Sequence, residues 1–127
     1  MAKVKWLTAP EEHDYPAAAS YLSLLLDQKQ IDDLVGQWRV SELVHYKAKD
    51  LLRAARLAFL PRTNAHVASD LKKIALKQPL APVLLVRGDV ARDVALQIAD
   101  GYHRVCASYL TDENTDIPCL IAGPASV

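Results

Sequence analysis

The continuous apolar run Val83-Leu84-Leu85-Val86 constrains the fold more than any other segment of the sequence. It has the length of a strand rather than a helix, and prolines precede it while Gly88 follows it. A second apolar run spans 94–99 and a third spans 117–122. Between them, residues 102–110 carry apolar side chains at helical spacing. The second half of the chain is therefore predicted to fold as strand, strand, helix, strand.

Helical patterns dominate the first half of the chain. They predict helices over 15–27, over 29–35 with Gly36 as the terminating residue, and over 50–56. A fourth helix is predicted over 65–77, and a short strand is predicted near His45-Tyr46.

The order of these elements predicts an α+β fold with a small mixed sheet and helices packed on it. A short loop joins the first two strands of the second half, so we expect them to be antiparallel. The last strand follows a crossover helix, so we expect it to run parallel to the strand before it. Residues 1–45 are interpreted as an N-terminal helical extension packed on the core, and residues 46–127 as the domain itself.

Composition excludes several classes of protein. The 127 residues suffice for one domain. The 15 Lys and Arg balance 15 Asp and Glu, which excludes a uniformly basic protein that wraps nucleic acid and a polybasic membrane anchor. No apolar run approaches the ~20 residues of a membrane span, and the first residues do not resemble a signal peptide. Cys106 and Cys119 match no zinc or redox spacing, so we expect unbonded core thiols in a cytoplasmic protein without membrane association.

Charge is distributed unevenly along the sequence. Residues 39–77 hold nine basic and three acidic residues, whereas residues 1–38 and 89–116 are both acidic overall. The basic segment is either a face that attracts an anion or a segment that neighbours the acidic ones in the fold.

The residues best suited to binding or catalysis are Asp100-Gly101-Tyr102-His103-Arg104, where a predicted strand passes into a predicted helix. Gly101 permits a sharp turn, and the first turn of the helix offers unpaired N–H groups at the positive end of its dipole. The side chains of His103 and Arg104 add further donors, which together predict an anion site suited to phosphate. Asp100 has three open roles: helix cap, partner of His103, or ligand of a metal on a bound nucleotide.

This run, continued through Val105-Cys106-Ala107 and ending at 116–121, resembles the signature of the ParB/sulfiredoxin superfamily. Upstream, residues 64–74 are similar to that superfamily's phosphate-facing helix, and residues 82–88 to the strand after it. The resemblance covers about residues 62–122 and implies a ParB/sulfiredoxin-like fold. It implies that the turn holds nucleotide phosphates and that polar residues of the preceding helix face them. In this sequence the turn and helix positions are Gly101, Tyr102, His103 and Arg104, with His66, Ser69 and Lys73 on one helix face.

Departures from the superfamily's pattern exclude some of the activities that its members perform. Sulfiredoxins carry a catalytic cysteine where this chain has Tyr102, so sulfinic-acid reductase activity is not expected. ParB proteins have a different version of the turn and a DNA-binding domain after it, so centromere binding of the ParB kind is not expected of these 127 residues alone. Other members of the superfamily use the acidic residue in phosphoryl transfer, which here implies Asp100.

Three classes of function are therefore open. The first is a nucleotide-binding domain that hydrolyses or transfers a phosphoryl group with Mg²⁺, with Asp100 or His103 as the catalytic base. The second is a non-catalytic regulatory module that binds a nucleotide or another phosphate ligand and a protein partner or a second copy. The third is nucleic-acid binding through the basic segment. In each phosphate-binding case, Arg104 and Ser69 are expected at the surface of a cleft, where replacing them costs binding rather than stability.

Overall fold

The computed structural model describes residues 3–124 and contains, in that range, five α-helices and four strands. The α+β prediction with a mixed sheet is confirmed. In chain order the elements are α1 (Asp14–Leu22), α2 (Gln28–Val40), β1 (Val44–Lys47), α3 (Ala48–Ala55), α4 (Ala65–Ala75), β2 (Val83–Val86), β3 (Gln97–Asp100), α5 (Tyr102–Thr111) and β4 (Asp116–Ala122).

The four strands form one sheet in the order β1-β4-β2-β3. β2 and β3 are antiparallel, as predicted. The prediction for β4 is wrong, because β4 does not run parallel to β3: it lies on the other side of β2, parallel to β2 and antiparallel to β1. The reason is the apolar character of β2, which is buried along its whole length and therefore takes a partner at each edge.

Both faces of the sheet are covered by helices. Val83 and Leu85 of β2 pack into a core with α3, α4 and α5, whereas Leu84 and Val86 pack into a second core with α1 and α2. This division follows from the alternation of side chains along a strand. The result is a three-layer arrangement of helices, sheet and helices.

The N-terminal helices form one of these layers, and the predicted domain boundary at residue 45 falls inside β1. Trp38 is fully buried, and its Nε1–H donates to the carbonyl oxygen of Leu85 at 2.9 Å. The predicted end of this helix at Gly36 is wrong, since α2 continues to Val40. Burial of Trp38 against the sheet holds the helix together beyond the glycine.

Other helices and strands also begin or end at residues that differ from the predicted ones. α1 ends at Leu22 rather than near residue 27, and α4 ends at Ala75. The strand predicted over 94–99 begins only at Gln97, because Val94 forms a bridge with Asp89 around a short 3-10 turn. Within residues 3–124, no helix combines the length and the apolar character that a membrane span requires.

Candidate functional site

The turn between β3 and α5 has the backbone that Gly101 was predicted to provide. Its φ is +112°, in the region that favours glycine, and a Cβ atom there would lie 2.4 Å from Cγ1 of Val83. No side chain caps the start of α5 at this residue. The first turn of α5 therefore begins directly after the strand with no side-chain acceptor on its N–H groups.

α4 begins beside this turn. The side chain of Asn64 caps the helix by accepting from the N–H groups of His66 and Val67 at 3.0 and 3.1 Å. Val67 is buried in the core, so the opposite face of α4 is directed outward. The imidazole ring centroids of His66 and His103 are 4.7 Å apart, which places the first turns of α4 and α5 side by side.

A polar cavity of about 250 Å³ lies between α4, α5 and the segment before α1. It brings together seven of the eight residues that the sequence predicts for the site. These seven are His66, Ser69, Lys73, Asp100, Gly101, His103 and Arg104.

Tyr102, the eighth, does not line this cavity. Its hydroxyl donates to the carbonyl oxygen of Ala58, and its ring packs against the core on the side of α3 and α5. This corrects the placement of its side chain in the phosphate site. The side chain of Tyr102 is instead directed toward the segment after α3, where its hydroxyl finds the carbonyl of Ala58.

Arg104 lies deeper than expected. Its side chain is 17% exposed and its Nη2 atom donates to Oδ2 of Asp100 at 2.8 Å. On the other side, Nη1 lies 3.9 Å from Oδ1 of Asp14, whose side chain is 4% exposed. Arg104 therefore lies at the wall of the cavity as the centre of a largely buried ion network.

This network gives Asp100 a role beyond the three that the sequence left open: it is the ion-pair partner of Arg104. Its carboxylate is held by Arg104, and it neither caps α5 nor bonds His103. Burial raises the pKa of Asp100, and the attraction of Arg104 opposes that rise. Asp100 therefore acts on the cavity through the position of Arg104.

His103 is half-buried, and burial lowers its pKa; the nearby His66 lowers it further, while Asp70 opposes the change. The neutral imidazole is therefore favoured. Burial also raises the pKa of Asp70, against the attraction of Lys73.

Sequence reasoning missed three acidic residues of the site. Asp70 follows His66 by four positions and so shares its helix face, a spacing that could have identified it. Glu11 lines the cavity from the segment before α1. Asp14 lies in the first turn of α1, and its carboxylate accepts from the N–H of Glu11 at 2.9 Å. No sequence signal links Asp14 to Arg104.

The donor set fits a protein-held Mg²⁺ poorly. Oδ2 of Asp100 is already engaged by the guanidinium of Arg104. Among the described residues, no three His, Cys, Asp or Glu side chains are arranged to hold a metal ion. We therefore derive no step through a metal that the protein holds alone.

The uneven charge along the sequence is balanced in part by ion pairs between the segments. Three cations of the basic segment pair with carboxylates of the acidic segments. These pairs are Arg39–Glu12 at 2.9 Å, Lys47–Asp116 at 4.0 Å and Arg56–Asp93 at 2.6 Å. They favour the interpretation that acidic and basic segments neighbour each other in the fold.

The two cysteines are buried and unbonded, as predicted. Cys106 accepts from the N–H of Leu60 at 3.3 Å, and burial raises its pKa. Neither sulfur lines the cavity between α4 and α5.

Comparison of the chain with protein-family models, with curated proteins and with solved structures gives no match. The resemblance to the ParB/sulfiredoxin superfamily stays a prediction that rests on the residues of the β3–α5 turn and of α4.

Proposed function

We propose that the cavity between α4 and α5 binds the phosphate group of a nucleotide or of another phosphate ligand. The observation that carries this proposal is the uncapped N-terminal turn of α5, which opens on a polar cavity that also receives donor side chains from α4. Helix N-termini attract anions through their free N–H groups and their dipoles. A ParB/sulfiredoxin-like identity of the fold and a cytoplasmic location belong to the same proposal.

Each donor would act differently on the phosphate. The N–H groups of the first turn of α5 would donate directly, and the hydroxyl of Ser69 and the ammonium of Lys73 would donate from the facing helix. The guanidinium of Arg104 is fixed by its carboxylate partners, so it would contribute an oriented charge at the wall of the cavity.

The test is a thermal-shift titration with inorganic phosphate, with sulfate and with nucleotides, each with and without Mg²⁺. A ligand that binds only the folded state raises Tm by mass action. Lys73→Ala should reduce the shift, and Lys72→Ala, on the adjacent residue outside the cavity, should leave it unchanged. Equal shifts in both variants, or no shift with any anion, would contradict the proposal.

Phosphoryl transfer is a second candidate, and the lowered pKa of His103 favours it. A neutral imidazole at the cavity wall can accept the proton of an attacking water or hydroxyl group. Asp100 would support this chemistry as a positioning residue. Release of inorganic phosphate from a nucleotide in the presence of Mg²⁺, lost in His103→Gln, is expected. Binding without turnover would instead favour a non-catalytic regulatory module.

Nucleic-acid binding has weaker support, because three cations of the basic segment already pair with carboxylates. A steep decline of polynucleotide affinity with salt would favour it.

A further inference from the structure

The cavity contains more carboxylates than permanent cations. Lys73 and Arg104 face it with positive charge, while Glu11, Asp70 and Asp100 line it with negative charge. Asp14 adds a further carboxylate behind Arg104. With both histidines neutral, these groups carry a net charge of −2. A dianion would therefore enter a site that repels it unless positive charge is added on binding.

The two histidines are the groups placed to add that charge. His66 and His103 each lie in the first turn of a helix, and their ring centroids are 4.7 Å apart. Burial and the neighbouring His66 ring oppose protonation of His103 in the empty cavity, and the positive end of the α5 dipole acts in the same direction. An anion in the cavity would offset these effects, since it offers an imidazolium a negative partner.

We propose that anion binding in this cavity is coupled to proton uptake by the His66–His103 pair, so that affinity rises as pH falls. The inference rests on the proposed phosphate site in its non-catalytic form, because a protonated His103 could not act as the base of phosphoryl transfer. It assigns to that site a regulation by pH that a site built from lysine and arginine alone would lack.

The histidines, rather than the other charged groups around the cavity, are the expected proton acceptors. From α4, Asp70 and Lys73 face the rings, and from α5, Arg104 does. Asp100 at the end of β3, Glu11 before α1 and Asp14 in α1 complete the charged groups around the cavity. The carboxylate of Asp100 is already hydrogen-bonded to the guanidinium of Arg104. The histidines are the groups whose ordinary titration range lies near neutrality.

Linkage sets the size of the effect. Uptake of one proton with the anion changes the apparent Kd by about tenfold per pH unit, between the pKa values of the empty and occupied site. Uptake by both histidines would approach about a hundredfold per unit over the same interval.

The experiment uses sulfate as the probe, because sulfate stays a dianion across the range in which histidine titrates, whereas phosphate does not. Isothermal titration calorimetry at several values between about pH 5.5 and 8, in buffers of different ionisation enthalpy, gives both Kd and the number of protons bound. We expect net proton uptake of about one or more, with the affinity for sulfate rising as pH falls.

Three variants assign the protons. His66→Gln and His103→Gln should each reduce the uptake and flatten the pH profile, while His45→Gln, in β1 and outside the cavity, should change neither. If a cavity variant does not fold, NMR titration of the imidazole protons in the unmodified protein replaces it. Both histidine pKa values should then rise on addition of sulfate.

The outcomes separate this inference from the proposed function. Sulfate binding with no proton uptake and a flat pH profile would overturn the inference and leave the anion site intact. Uptake that persists in both histidine variants would assign the protons to the carboxylates and also overturn it. Absence of sulfate binding at every pH would overturn the site and the inference together.

Discussion

Replacement of Arg104 by alanine is expected to destabilise the protein strongly. The substitution removes the cation between Asp14, whose side chain is 4% exposed, and Asp100, which is 20% exposed. Breaking a buried ion pair by deleting one partner costs about 3–5 kcal/mol, because the remaining charge stays buried without compensation. Part of that cost is offset, since Nε of Arg104 is itself buried without a hydrogen-bond partner. We expect a loss of about 3 kcal/mol in the free energy of unfolding at neutral pH.

Urea denaturation followed by circular dichroism measures this loss. For a domain of this size it corresponds to a decrease in Tm on the order of 10 °C. Arg53→Ala is the matched control, because Arg53 also pairs with a carboxylate, at 3.0 Å, but is 83% exposed. Its removal should cost less than about 1 kcal/mol. Equal stability of the two variants would refute the assignment of a buried ion network.

The pH dependence provides a second check on the same network. Folding raises the pKa of Asp100, so its contribution to stability is present below the ordinary carboxyl pKa and is lost as pH rises through the raised value. Arg104 opposes the rise, and its removal therefore raises this pKa further. The stability difference between Arg104→Ala and the unmodified protein should narrow as pH falls from neutrality toward the carboxyl range. A difference that widens on acidification would contradict this assignment.

Three further predictions concern the core and the backbone. Gly101→Ala should lower the free energy of unfolding, measured by urea denaturation, by about 2–4 kcal/mol, because the position combines a positive φ with a close contact to Val83. Gly36→Ala, with open space around it in α2, should raise that free energy by about 0.5–1 kcal/mol. The opposite order would be incompatible with the turn described. Trp38→Phe should cost about 1–3 kcal/mol in the same assay, because the carbonyl of Leu85 loses its buried donor, and a neutral effect would show that the bond contributes nothing. Iodoacetamide at mildly alkaline pH should label neither cysteine in the native protein, because burial raises the pKa of Cys119 to about 12 and also raises that of Cys106. Rapid labelling of Cys106, detected by mass spectrometry, would indicate solvent access that the structure does not show.

The parts of the fold that could be predicted are those determined by local pattern. The apolar run identifies β2, because a strand buried on both faces is apolar throughout. The helical spacing of apolar residues identifies α5, because only one face of that helix is buried. The turn at Gly101 was predictable for a similar reason, since a strand that passes directly into a helix there requires a special backbone conformation.

The parts that could not be predicted depend on contacts between distant segments. α2 passes Gly36 because Trp38 reaches the carbonyl of Leu85, and no local propensity records that hydrogen bond. The position of β4 beside β2 depends on which strand edge is available after the chain has crossed over α5. In each case a tertiary contact overrides the preference of the local sequence.

The network around Arg104 changes how the site and the N-terminal layer are related. Asp14 belongs to α1, in the layer that the sequence suggested as an extension, yet it lies 3.9 Å from the guanidinium at the wall of the cavity. Glu11, three residues earlier, lines the cavity and bonds Asp14 through its N–H. The first helix therefore helps to fix both the position of Arg104 and the charge of the cavity. Because those carboxylates offset the permanent cations, the proposed proton uptake by the two histidines would depend on the N-terminal layer as well as on α4 and α5.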